Sequence, residues 1–172
     1  MERRDPERGR LSIRQTARED LHELLRVYEA ARKIMRESGN PDQWGNTHPP
    51  RELLEQDIAD GTGYAVTCGE RIVAAFALIP GDDPTYRVIE GAWLNDEPYA
   101  AVHRVGSDGT CRGILEAVIR FAKEKGIREL RIDTHEDNHL MQHVVQKNGF
   151  RYCGIIHLLN GEPRLAYQKT VE

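Results

Sequence analysis

The sequence predicts an α/β fold, with a mixed, largely antiparallel central sheet of six to seven strands flanked by helices. Two observations carry this. In the first half, short apolar stretches are joined by tight turns, which marks antiparallel neighbours. In the second half, helical stretches alternate with strands, and a strand-helix-strand crossover is how parallel strands are joined. The predicted order is β-α-α-β-β-(β)-β-α-β-α-β-β.

The elements follow in chain order. Residues 1–10 read as a charged, solvated arm, and residues 11–172 as one domain. Leu11-Ser12-Ile13 is a short alternating strand. Thr16-Ala17-Arg18-Glu19 has the pattern of a capping box, so a helix should follow. Its apolar face is Leu21, Leu24, Leu25, Tyr28, Ala31 and Met35, and Gly39-Asn40-Pro41 ends it. A loop over 40–50 carries Trp44 and His48. A shorter helix runs from about Arg51 to Asp60. Tyr64 to Cys68 and Arg71 to Ile79 are strands joined through Gly69-Glu70. Pro80 to Pro84 is a turn, Thr85 to Ile89 is strand-like, and Tyr99 to Val105 is a strand. A helix from about Arg112 to Lys125, a strand from Arg128 to Thr134 and a helix from about Asn138 to Asn148 follow. Phe150 to Leu158 and Arg164 to Lys169 close the sheet.

Composition narrows the function. Hydrophobic residues make up 39% and charged residues 30% of 172 residues, enough for a core and too mixed for a disordered chain. Lys+Arg 24 against Asp+Glu 28 gives a net charge of -4, without the basic excess of a nucleic-acid binder. No apolar run reaches the length of a membrane span. Cys68, Cys111 and Cys153 are odd in number and widely spaced, which fits a reduced, cytoplasmic protein.

The most informative segment is the glycine-rich turn Gly106-Ser107-Asp108-Gly109-Thr110-Cys111-Arg112-Gly113 between a strand and a helix. Such a turn aims free backbone amides at one spot, where the helix dipole adds positive potential, and this suits a pyrophosphate. The turn lacks the Gly-Lys-Ser/Thr ending of a P-loop and the GxGxxG of a dinucleotide fold, so ATP and NAD are poorly supported.

From about Ser12 to Lys169 the chain resembles the GNAT superfamily of acetyl-CoA-dependent N-acetyltransferases. Three features carry the resemblance. One is the strand-loop-helix order over Val105 to Leu115, where the family has its pyrophosphate motif. Another is Arg131-Ile132-Asp133-Thr134-His135 followed by Asp137-Asn138 and Met141. The third is Lys147-Asn148-Gly149-Phe150, Cys153-Gly154 and Arg164-Leu165-Ala166-Tyr167. The resemblance implies that acetyl-CoA sits in a V-shaped opening between two parallel strands. Val105 would pair with the pantetheine through its backbone, Cys111, Arg112, Gly113 and Ile114 would meet the phosphates, and Asn138 would approach the cofactor. It also implies a small-molecule or peptide amine as acceptor, and a homodimer as a common assembly of the family. Thr110 stands where the family has Gln or Arg, Leu115 where it has Gly or Ala, and Val145 where it often has an acidic Tyr.

Acetyl transfer needs a base for the amine and a donor for the developing oxyanion. His103 is the first candidate base, placed by strand alternation on the same face as Val105. Glu90 is the second, and Tyr99 is a candidate proton donor. Trp44, in the loop that often lines the family's acceptor site, and Asp133 and His135, at the end of a central strand, are candidate substrate contacts. A family domain that binds CoA or a metabolite without turnover is the alternative. A remoter one is zinc hydrolysis, because His135-Glu136-Asp137-Asn138-His139 matches H-E-x-x-H; that chemistry needs both histidines on one helical face, and His135 is expected before the helix.

Overall fold

The computed structural model describes residues 10–172, so all of the expected arm except Arg10 lies outside the described residues. Its strands are β1 (Leu11–Gln15), β2 (Gly63–Cys68), β3 (Arg71–Pro80), β4 (Glu90–Gly91), β5 (Ala100–Ser107), β6 (Glu129–Thr134), β7 (Arg151–His157) and β8 (Pro163–Thr170). Its helices are α1 (Leu21–Glu37), α2 (Arg51–Asp60), α3 (Ile114–Glu124) and α4 (His139–Lys147). The strands form one eight-stranded sheet in the order β1-β2-β3-β5-β6-β8-β7-β4. Every described pairing is antiparallel except β5 with β6. The α/β class and the mixed, mostly antiparallel sheet are as expected, with one more strand than the upper expectation.

Alternation sorts the sheet into two faces. Ala74, Phe76 and Leu78 of β3 pack with Leu115, Val118 and Ala122 of α3 and Val145 of α4 in the main core. Ala75, between them in sequence, belongs instead to a cluster with Leu21, Leu24 and Tyr28 of α1 and Leu54 of α2. Helix α1 sits close to β5: a Cβ on Gly106 would come within 2.8 Å of the Tyr28 ring. Only glycine permits that approach. Across the second half of the sheet no helix among the described residues packs in the cluster on the α1 side. The segment between β3 and β5 does so, with Tyr86 buried against Ala101, Ile156 and Ala166, and Trp93 beside them.

Two local expectations are corrected. The capping box does not form at Thr16. The Thr16 amide donates to Gly63 O, and its hydroxyl is buried without a partner. Asp20 reaches back instead to the Ala17 amide at 2.7 Å, across a 3-10 turn over Arg18–Asp20, and α1 begins at Leu21. The strand expected over 85–89 is a 3-10 turn, Pro84–Tyr86, followed by the two-residue β4. Asp83 accepts from both the amide and the hydroxyl of Thr85, which turns the chain before it can extend. No helix among the described residues is long and apolar enough to cross a membrane.

Candidate active site

The site begins where the two parallel strands stop pairing. β5 and β6 share only the pairs Ala100↔Leu130 and Ala101↔Arg131. Beyond them β5 stays on β3 as far as Ser107, and β6 stays on β8 as far as Thr134. The strands therefore splay, leaving a notch and a cavity of about 490 Å³. Trp44 and His48 of the loop after α1, His103, Arg104 and Val105 of β5, and Asp133 of β6 are among its walls.

A bulge in β5 shapes the notch. Ala77 pairs with His103 and Ala75 with Gly106, so two steps along β3 match three along β5. Arg104 absorbs the extra residue at φ 54, a conformation uncommon for a residue with a side chain. It is held from two sides. The Tyr28 hydroxyl donates to the Arg104 carbonyl at 2.7 Å. The Arg104 guanidinium makes a bidentate pair with Asp57 of α2, at 3.0 and 2.7 Å, with both side chains largely buried. The bulge corrects the expectation that His103 and Val105 share a face. Val105 packs toward the α3 core, whereas His103 points to Asp83 on the opposite side.

His103 Nε2 lies 2.7 Å from Asp83 Oδ2. Burial alone would raise the Asp83 pKa, but hydrogen bonds from His103 and Thr85 outweigh it and bring it to about 2. Asp83 is thus an acceptor, so Nε2 carries the proton and Nδ1 is left as the basic nitrogen of the neutral ring. Beside this pair, the Tyr86 hydroxyl donates to Asp133 Oδ2 at 2.6 Å. Burial and the neighbouring Asp133 hold Tyr86 well above its ordinary pKa, so it remains a donor. Burial raises Asp133 above the usual carboxylate range, against the pull of His103, Tyr86 and Arg164.

The remaining walls are more local. Trp44 meets the Tyr28 ring edge-on at 5.7 Å between centroids, so it packs on α1 while facing the cavity. His48 is lowered from its ordinary pKa by burial and then by Arg104, Arg32 and Arg164. Asn138 caps α4 by accepting from the Met141 amide at 3.0 Å, and its amide group donates to Gln43 of the loop after α1 at 2.9 Å.

The turn ahead of α3 has a different character. Gly113 is the helix N-cap, at φ 79. Asp108 accepts from the Thr110 amide and hydroxyl, and its carboxylate lies 3.3 Å from Arg26 and 3.6 Å from Arg71. Among the described residues no acceptor takes the amides of Arg112, Gly113, Ile114, Leu115 or Glu116. Leu115 is buried in the main core with Val118, so its side chain leaves the amide end clear. Uncommitted amides at a helix start, next to an open pair of parallel strands, fit a pyrophosphate ligand with a linear arm.

Three expected site residues stand apart. Glu90 is exposed on the edge strand β4, pairs with Ile155 and does not line the notch. The Tyr99 hydroxyl accepts from the Asp83 amide at 2.7 Å, and its ring lies under the Arg131 guanidinium. Tyr99 therefore supports Asp83 from below and does not line the notch. His135 Nδ1 accepts from the Asp137 amide at 3.0 Å, in the connection between β6 and α4, and the cavity walls do not include it. That position also breaks the zinc reading, since α4 starts at His139 and the two histidines share no helical face. No group of three metal-ligating side chains occurs among the described residues.

Sequence reasoning missed Asp83, Tyr86, Asp57, Tyr28, His48 and Arg164. Asp83-Pro84-Thr85 carried a local signal, an Asp cap before a Pro-started turn. The others meet the site through contacts far apart in sequence and had no local signal.

A sheet opened between two parallel strands, a bulged strand and a turn of uncommitted amides together define the site. Comparison with known proteins gives the family. Residues 10–151 match the model of the acetyltransferase (GNAT) domain, and the chain belongs to this family. An acetyltransferase of the GNAT family from Streptococcus agalactiae is similar at 30% identity and TM-score 0.85, covering 94% of this chain and 96% of that one. An acetyltransferase described as putative from Staphylococcus aureus is 24% identical, with TM-score 0.66 and coverage of 93% and 99%. PaiA N-acetyltransferase from Thermoplasma acidophilum, in complex with coenzyme A, shares the fold at 18% identity and TM-score 0.63, covering 94% and 99%. No curated protein matches the chain significantly.

Proposed function

We propose that the protein is an acetyl-CoA-dependent N-acetyltransferase acting on a primary amine of a small molecule or a protein. The observation that carries this is the notch itself: His103, set by an ionised Asp83, faces a cavity between splayed parallel strands, on the strand that leads into the turn with the uncommitted amides. Acetyl-CoA supplies the activated acyl group. The amides from Arg112 to Glu116 hold its diphosphate, and the unpaired edge of β5 at Val105 takes the pantetheine arm.

The chain's own groups then act in order. Trp44 and the loop after α1 wall the acceptor side and exclude water from it. Asp133, held in place by the buried Tyr86 hydroxyl, orients the acceptor amine. Nδ1 of His103 takes the proton that the amine loses as its nitrogen bonds to the acyl carbon and the carbon–sulfur bond breaks. The Arg104 bulge re-aims the β5 backbone, so that an amide at Val105 meets the charge developing on the carbonyl oxygen. The thiolate leaving group is a weak base, and solvent suffices to protonate it.

One observation favours a second reading, binding without turnover. Val145 is fully buried where family members often carry a Tyr, and no tyrosine lines the notch among the described residues. Two measurements separate the cases. Titration calorimetry with acetyl-CoA should show saturable heat in both. Release of free CoA thiol with a panel of amines should occur only for the enzyme. Absence of heat at millimolar acetyl-CoA defeats both readings.

A further inference from the structure

We propose that Cys68 and Cys111 are a redox-sensitive pair which, when joined as a disulfide by a hydroperoxide, weakens coenzyme binding at the turn ahead of α3. The weakening rests on the acetyl-CoA reading above; the disulfide does not.

Several contacts bring the segments that carry the two thiols together. Cys68 ends β2 and pairs with Leu11 on one side and with Arg71 on the other. Arg71 reaches Asp108, whose carboxylate fixes Thr110, the residue before Cys111. Leu11 shares a surface cleft with Arg112 and Gly113, the residues after Cys111. Both cysteines are half-buried and pack against the same core. The side chains touch: a hydrogen bond with Cys111, followed by burial, raises the Cys68 pKa. Cys153 is the contrast, buried elsewhere in the sheet with its thiol on Arg151 O at 3.4 Å.

The chemistry balances with one equivalent of hydroperoxide. The hydrogen bond from Cys111 and burial keep the proton on the Cys68 thiol, so Cys111 is assigned as the attacking sulfur. Its thiolate takes the terminal oxygen of the hydroperoxide, the O–O bond breaks, and an alcohol or water leaves. Cys68 sulfur then displaces water from the sulfenic acid and the S–S bond forms. The two thiols lose two electrons and two protons, and the hydroperoxide is reduced. Intracellular disulfides of this kind are typically transient and regulatory.

The consequence follows from position. Cys111 lies three residues before the first residue of α3. A disulfide fixes the distance between the two chains within a narrow range. It therefore ties the turn to β2 and displaces the amides from Arg112 onward, which are the groups assigned to the diphosphate.

The test uses the whole protein in three states: reduced, treated with hydrogen peroxide, and treated then re-reduced with dithiothreitol. Non-reducing peptide mapping should show one cross-link, Cys68 to Cys111, at the loss of two hydrogen masses, with Cys153 free. Calorimetry should show acetyl-CoA bound about tenfold or more weakly in the oxidised state, restored by reduction. The Cys153→Ser variant should behave as the parent, and Cys68→Ser should show neither the cross-link nor the reversible loss. Absence of the cross-link, or a cross-link with unchanged affinity, overturns the proposal. If the reduced protein binds no acetyl-CoA while the cross-link forms, the functional reading falls and takes the regulatory step with it.

Discussion

The notch and the turn ahead of α3 both lie toward the C-terminal end of β5, and they are built in opposite ways. Polar side chains of the notch are held by partners far off in sequence: His103 by Asp83, Asp133 by Tyr86, Arg104 by Asp57. The turn is local. It consists of consecutive residues, and the groups assigned to the diphosphate are backbone amides without acceptors among the described residues. A pair of interlocked side chains gives a fixed proton acceptor, which chemistry demands. A row of free amides gives a charge-complementary seat, which a diphosphate demands whatever side chains surround it. Substitutions in the notch should thus act on rate, and substitutions in the turn on coenzyme affinity.

The sharpest way to break this comparison is at His103. His103→Gln keeps a polar ring-sized group but no base, and kcat should fall about 10²–10³-fold with acetyl-CoA affinity unchanged. Steady-state rates paired with calorimetry read both quantities. A matching loss of affinity would dissolve the distinction between the regions.

The Arg104–Asp57 pair comes next in size. Asp57→Ala leaves a largely buried guanidinium without its counter-charge and releases a strained residue at φ 54. Urea unfolding should show a loss of about 3 kcal/mol. A loss within experimental error would mean that the bulge is held by Tyr28 and the β3 ladder alone.

These two predictions lean on residues of unequal visibility. The position of His103 on β5 was readable from the strand pattern, although the face assigned to it relative to Val105 was wrong. The bulge had no local mark. Arg104 adopts its unusual conformation because Asp57, 47 residues away, and Tyr28, 76 residues away, hold it there. Helix α3 and the turn before it were legible because 3.6-residue periodicity and glycine spacing are properties of consecutive residues. The segment from Thr85 to Ile89 was read as strand-like, since a run of consecutive residues cannot show that an Asp cap bends it first. Glu90, expected just after that stretch, instead lies on the edge strand β4 opposite Ile155.

A smaller effect is expected from acid. Asp83 titrates at about 2 in the fold against an ordinary 3.8, so the folded state binds its proton less readily. Its contribution to stability is complete above about 3.8 and is lost as pH falls toward about 2. Thermal melting through that range should show a steeper acid loss for the parent than for Asp83→Asn, whose side chain cannot titrate. Parallel curves would mean that His103 and Thr85 do not favour the ionised carboxylate.

Gly113→Ala is the gentlest probe and the one aimed at the turn. At φ 79 an alanine is strained by about 1 kcal/mol relative to glycine, while the nearest atom to its new Cβ is the tip of Glu116 at 3.9 Å, so space is not the obstacle. The strain is relieved by rotating the peptide groups on either side, and these carry the amides assigned to the diphosphate. Acetyl-CoA affinity should therefore drop a few-fold, with kcat at saturating coenzyme unchanged. A variant that lost rate and kept affinity would place the proton transfer and the coenzyme seat on one mechanical unit, and the division of labour between side chains and backbone would fail where it is most finely drawn.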